Sequence, residues 1–257
     1  MRLSEQFNQL KKKNEAALIA YTTAGFPSME TFQKQLALIA ESGADVIEIG
    51  IPFSDPIADG PTIQVSSQIG LENGATLPAI LKMVGSMTLP VPLVFMSYLN
   101  PLLSYGREKL LRDMTEAGVT GLIIPDLPVE ESAEWRKSCT EAGVDLIFLV
   151  TPATHAERVQ QVIDASSGFV YCVSLTGTTG ARKDLSEGVM TFLQSIASKT
   201  DTPVAVGFGV STPEHIRMLK SSADGVIVGS RVIDAIKNEE DLGELIKTLK
   251  EATRNSR

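Results

Sequence analysis

Eight short apolar runs, each followed by a stretch of helical periodicity, constrain this chain more than any other feature. The runs are Leu18–Thr23, Val46–Ile51, Pro92–Ser97, Gly121–Pro125, Asp145–Val150, Phe169–Ser174, Pro203–Gly207 and Gly225–Gly229. They are nearly continuous in Val, Ile and Leu, the pattern of strands buried on both faces of a parallel sheet. Helical segments lie between them. Met29–Glu41 places Phe32, Leu36 and Ile39 on one face and stops at Ser42-Gly43. Glu116-Ala117-Gly118 and Glu141-Ala142-Gly143 end two more helices on glycine, which adopts the left-handed terminal conformation cheaply. Ser211-Thr212-Pro213-Glu214 has the spacing of a helix-opening cap. A further helix is expected at Leu3–Lys13, before the first strand. Eight alternations within 257 residues and no linker predict an α/β fold, a single (β/α)8 TIM barrel spanning residues 1–257 as one domain. An open doubly wound sheet would want G-x-G-x-x-G after the first strand, and that position reads T-T-A-G-F-P.

Two connections are enlarged. The one after the second strand is rich in Pro, Gly and Asp and carries an extra helix near Ile63–Leu71. The one after the sixth strand reads S-L-T-G-T-T-G-A-R-K-D. In a barrel both lie on the C-terminal face, where active sites are built. The first begins at an anomaly. Glu48 stands inside the apolar run V-I-E-I-G, where an ionised group is costly unless paired. Asp59 follows in the loop, between Ala58 and Gly60. One acid on a rigid strand and one on a loop suit a general acid and a general base. The alternatives are a structural ion pair for Glu48 and simple turn chemistry for Asp59.

At the other end of the chain, strand seven leaves as V-G-F-G-V-S and strand eight as I-V-G-S-R. Glycines there let backbone N–H groups approach an anion, and the helix starting near Ser230 would aim its positive end at it. Barrels often hold phosphate at this place. Gly207, Gly209 and Gly229 on these two strand exits are the candidates, tight turns being the alternative, and Gly180 after strand six would add a third contact to the two exits. The formal net charge of −8 leaves no basic run beyond Lys11–Lys13, which argues against a nucleic-acid or anionic-membrane surface. Cys139 and Cys172 form no disulfide or zinc pattern, so a reducing compartment, the cytoplasm, is expected. The N-terminus lacks an apolar signal core, and no apolar run reaches about 18 residues.

A phosphate grip with two carboxylates fits an isomerase, an aldolase or a lyase. A Schiff-base aldolase needs a strand lysine, and none of the eight runs contains one. A metal aldolase needs clustered ligands, whereas His155 and His215 fall near helix starts in different segments. Carbon–carbon cleavage without either requires a substrate that carries its own electron sink, as an indole ring does. Protonation of indole C3 by Glu48, with the ring N–H proton drawn toward Asp59, would turn C3 into a leaving group. Tyr171 by itself reads as core packing, Asp126 as a loop-holding acid, and Trp135 and Cys139 as helix residues that pack or face solvent.

The segment I-E-I-G-I-P-F-S-D-P-I-A-D-G-P-T-I-Q resembles a signature of the tryptophan synthase α subunit family. M-S-Y-L-N-P-L, G-L-I-I-P-D-L-P-V-E-E and V-G-F-G-V-S resemble further family segments in the same order. The resemblance covers essentially the whole chain. It implies tryptophan biosynthesis, by cleavage of indole-3-glycerol phosphate to indole and glyceraldehyde 3-phosphate. It implies Glu48 and Asp59 as the catalytic pair, and Tyr171 beside them. It implies Tyr21 against the indole, and Gly180, Phe208, Gly209, Gly229 and Ser230 on the phosphate. Thr179 would meet Asp59 on loop closure. A pyridoxal-phosphate (PLP) β subunit is the implied partner, in an αββα heterotetramer that passes indole between subunits, with the loop around Ser54–Asp59 at the contact. No cofactor is expected in this chain. Leu175 and Thr178 depart from the family's usual loop after strand six, which bears on closure rather than chemistry. A stand-alone lyase releasing free indole, and a binding subunit that only activates β, are the rival functions.

Overall fold

The computed structural model describes residues 1–173, 184–207 and 209–254, with backbone alone at 184–187. Nine parallel strands form one sheet: β1 (Ala17–Thr23), β2 (Val46–Gly50), β3 (Leu93–Met96), β4 (Val119–Ile123), β5 (Asp145–Ile147), β6 (Leu149–Val150), β7 (Val170–Val173), β8 (Val204–Gly207) and β9 (Gly225–Val228). Their order is β5-β4-β3-β2-β1-β9-β8-β7-β6. The two ends of that order are consecutive in the chain. The expected fifth strand, Asp145–Val150, is thus broken at Phe148. Its first part pairs with β4 and its second with β7, so the bend nearly closes the ring. The expected barrel is observed, with one strand divided because a single straight segment does not serve both neighbours.

Helices wrap the sheet: α1 (Leu3–Lys13), α2 (Met29–Glu41), α3 (Pro61–Glu72), α4 (Leu77–Gly85), α5 (Leu99–Tyr105), α6 (Arg107–Glu116), α7 (Ala133–Ala142), α8 (Ala156–Ala165), α9 (Asp184–Ala197), α10 (Pro213–Leu219), α11 (Ser230–Lys237) and α12 (Leu242–Thr253). The connection after β2 holds two helices: α3 is the extra helix expected near Ile63–Leu71, and α4 is the ordinary crossover helix. Glycine stops α6 and α7 as expected, with Gly118 at φ +79° and Gly143 at φ +70°. At α10 the cap is Thr212 rather than Ser211. Its side chain accepts from His215 N–H, because Pro213 takes the first helical position and needs no bond there.

Alternation along the strands separates two cores. Outward residues pack under the helices. Inward residues, among them Ile19, Val46, Val94, Ile123, Ile147, Phe169 and Ile227, fill the barrel. Leu3, Phe7 and Leu10 of α1 join this inner core and plug its N-terminal end. On the same end Lys250 of α12, only 6% exposed, bonds Asp45 Oδ2 at 2.9 Å and Glu15 Oε2 at 3.0 Å. Asp45 Oδ2 also accepts from Leu18 N–H at 2.7 Å. The last helix is therefore tied to the starts of the first two strands. Trp135 and Cys139 are both buried, so packing and not solvent takes them. No helix among the described residues is long and apolar enough to cross a membrane.

Candidate active site

With one end plugged, the barrel can open only at the other. A cavity of about 310 Å³ lies there, lined by Tyr21, Glu48, Met96, Tyr171 and Ile227 from the strands and by Asp59, Gly209, Gly229 and Ser230 from the loops. Its floor follows from register. Val46 and Glu48 are two apart, so the same alternation that sends Val46 into the inner core sends Glu48 one layer higher. Tyr21 pairs with Glu48 across β1 and β2, which sets phenol and carboxyl side by side.

Glu48 is 1% exposed, and its Oε2 has no hydrogen-bond partner among the described residues. Burial, reinforced by the negative charge of Asp59, pushes its pKa up to about 8. Asp59 is half-buried. Burial raises it to about 6, opposed by a hydrogen bond from Tyr98 Oη at 2.9 Å. At neutral pH the strand acid is therefore protonated and the loop acid ionised. Two carboxylates in one cavity are held in opposite states by their surroundings, which is what separate acid and base roles require.

The tyrosines have made-to-measure neighbours. A Cβ on Gly50 would fall 2.1 Å from Tyr21 Oη, and one on Gly207 would fall 2.5 Å from Tyr171 Oη. These glycines exist to let the rings lie across the neighbouring strand. Gly207 therefore makes room for Tyr171, and it is not among the residues lining the cavity. Tyr21 Oη accepts from Thr23 Oγ1 at 3.3 Å, and Thr23 Oγ1 lies 2.6 Å from Ser66 Oγ on α3. Burial raises both phenols well above their usual range, with the nearby acids adding to it, so both stay neutral.

Beside Tyr21, Gly229 caps α11 and Ser230 is its first residue; Gly209 turns at φ +77°. All three line the cavity. Thr179, Gly180 and Phe208 lie outside the described residues, as do Leu175 and Thr178. Asp126 Oδ1 accepts from Leu99 N–H at 2.8 Å, the structural role expected of it. His155 and His215 sit at the starts of α8 and α10, outside this cavity's lining. Sequence reasoning passed over Tyr98, quoted only within M-S-Y-L-N-P-L. The available signal was its position just past the end of strand three, on the active face of a barrel.

A family model described as tryptophan synthase alpha chain matches residues 7–256. The chain belongs to the tryptophan synthase alpha chain family. The tryptophan synthase alpha chain of Methanosarcina mazei is 45% identical over 249 residues, covering 96% of this chain and 91% of that protein. The alpha chain of Thermoanaerobacter sp. strain X514 is 42% identical, covering 97% and 95%. A crystal structure of tryptophan synthase from M. tuberculosis in its aminoacrylate-bound form superposes with TM-score 0.90 at 34% identity, covering 98% of this chain and 99% of that one. With the family comes the reaction the motifs implied. The chain is a carbon–carbon lyase of tryptophan biosynthesis that cleaves indole-3-glycerol phosphate to indole and glyceraldehyde 3-phosphate.

Proposed function

We propose that Glu48 and Asp59 carry out this cleavage as a matched acid and base, with no cofactor in this chain. Protonated Glu48 delivers its proton to indole C3 while Asp59 accepts the ring N–H proton. The resulting 3H-indole is the electron sink. Glu48, now a carboxylate, takes the proton of the side-chain hydroxyl. The C–O bond becomes a carbonyl, the bond to C3 breaks, and its electrons return to the ring. Asp59 gives its proton back to the ring nitrogen. Indole and glyceraldehyde 3-phosphate leave with both carboxyls in their starting states. The single observation that carries this reading is the pairing of two carboxyls in one cavity, Glu48 buried with its Oε2 unpartnered among the described residues and Asp59 holding a hydrogen bond from Tyr98 Oη.

The phosphate is held by backbone N–H groups at the start of α11, with Gly209, Gly229 and Ser230 around it; Gly180 and Phe208 complete the cradle. Tyr21 and Tyr171 wall the indole, and Thr179 meets Asp59 as the site closes. Residues 1–257 act as one unit. PLP belongs to a β subunit, with which this chain assembles as αββα. Support for that docking comes from the loop carrying Asp59. Its Ile57 is 83% exposed, an apolar side chain that such docking would cover. The cytoplasm, where indole would pass to that partner, is the proposed compartment.

Glu48→Gln tests the core of the reading. Single-turnover indole formation should fall more than about 100-fold, since a positioned acid is worth about 10²–10⁴. Binding of glycerol 3-phosphate should persist. A variant that keeps a tenth of the rate excludes Glu48 as the acid.

A further inference from the structure

We propose that Tyr98 is a positioning residue for the cleavage, its single hydroxyl fixing both the backbone and the carboxylate of the loop that carries Asp59. The inference rests on the reading of Asp59 as the base.

Asp59 has a difficulty that Glu48 does not. Glu48 is held by a strand; Asp59 lies on a ten-residue connection running from Ile51 to Gly60, where Ile57 and Ala58 are exposed. A base must sit within hydrogen-bond reach of the proton it takes, and a mobile carboxylate spends little time there. Tyr98 supplies the missing anchor. It is 3% exposed at the start of α5, and the next residue's N–H is bonded to Asp126; its ring also meets Phe53 of the connection at a tilt, 5.3 Å between centroids. From that fixed place Tyr98 Oη accepts from Ala58 N–H at 2.9 Å and donates to Asp59 Oδ2 at 2.9 Å.

The polarity of this pair is not free. A backbone N–H can only donate, so Ala58 takes an oxygen lone pair and leaves the hydroxyl's own hydrogen for Asp59. A carboxylate that accepts such a bond is favoured in its charged form. One side chain thus sets both where Asp59 points and that it stays ionised against the cost of burial. The other titratable groups facing this cavity do not duplicate that effect. Glu48, Tyr21 and Tyr171 are neutral near pH 7, Arg231 is engaged by Glu240, and Asp234 stands on α11; Asp126, outside the cavity's lining, is bonded to Leu99.

Tyr98→Phe keeps the ring on Phe53 and removes both hydrogen bonds. The experiment is kcat/KM for indole-3-glycerol phosphate across about pH 5–9, on the full chain, for wild type, Y98F, D59N and the double variant. Y98F should lose about 10- to 100-fold at neutral pH, and its acid limb should move up by about one pH unit. In the D59N background it should cost little more, because the hydroxyl acts through Asp59. Glycerol 3-phosphate binding and melting temperature, both near wild type, confirm that the variant folds. A slower Y98F with an unmoved limb, or losses that multiply in the double variant, would mean a prop for the loop and overturn the proposal. A Y98F indistinguishable from wild type overturns it also. A D59N chain with wild-type activity strikes the reading of Asp59 itself, and is told apart because it needs no Tyr98 variant to be seen.

Discussion

Glu48, the proposed acid, is also costly to the fold. Its carboxyl gains a proton on burial because the charged form is desolvated beside Asp59, and the folded-state pKa near 8 lies above the ordinary 4.5. The sign follows. Between those values the folded chain holds a proton that the unfolded chain has released, so stability falls as pH rises through this window. Glu48→Gln removes that dependence. Thermal melts at pH 8 should show the variant more stable by on the order of 5 °C, with the gap closing toward pH 5; a variant less stable at pH 8 contradicts the buried-acid account. The same two groups set the rate profile. Activity should rise as Asp59 ionises near 6 and fall as Glu48 loses its proton near 8. At this scale the sequence was informative about Glu48, since an acid in an apolar strand stands out, and about Asp59 only through its motif. It was nearly silent on Tyr98, because a tyrosine beside a strand is ordinary until the bond to Asp59 is seen.

Elements divide the labour between the two ends of the barrel. At the C-terminal ends of the strands, β1 and β2 bring Tyr21 beside Glu48, and α11 points its N-terminus at the cavity. At the other end, α1 plugs the barrel and α12 is clasped through Lys250. That clasp is a buried cation with two acids, and removing the cation strands Asp45, while Glu15 keeps Arg254 at 3.7 Å. Lys250→Met should destabilise the chain by about 3–5 kcal/mol in urea unfolding, while the folded fraction keeps its lyase rate at low temperature. An unchanged unfolding midpoint would show that the ion pairs contribute nothing net. The strands and helix ends were legible because they depend on local periodicity and on glycine or proline geometry, as at Gly118, Gly143 and Pro213. The break at Phe148 was not, because it answers to two neighbouring strands that lie far away in sequence. The Lys250 clasp was hidden for the same reason: its partners are 205 and 235 residues distant.

For the whole molecule, the proposed partner face and the catalytic loop are one surface. Ile57 projects from the connection that carries Asp59, so docking there would act on the base directly while leaving Glu48 fixed on β2. Ile57→Glu should weaken association with a β subunit by at least about tenfold, consistent with burying a charge in an apolar contact, and leave glycerol 3-phosphate binding to the isolated chain unchanged. Sedimentation of mixed subunits measures the first and calorimetry the second; association as tight as wild type removes Ile57 from the contact. The sequence by itself determined the barrel and pointed to the face that bears the site and to the two acids proposed for the chemistry, because these rest on periodicity, chain length and a signature motif, none of which needs the folded chain to be read. Only the tertiary structure decided that Glu48 is buried more deeply than Asp59, that Gly207 makes room for Tyr171, and that Tyr98 bonds both Ala58 and Asp59 of the loop. Each of those depends on desolvation or on contact between distant strands, and such quantities have no value until the chain has closed on itself.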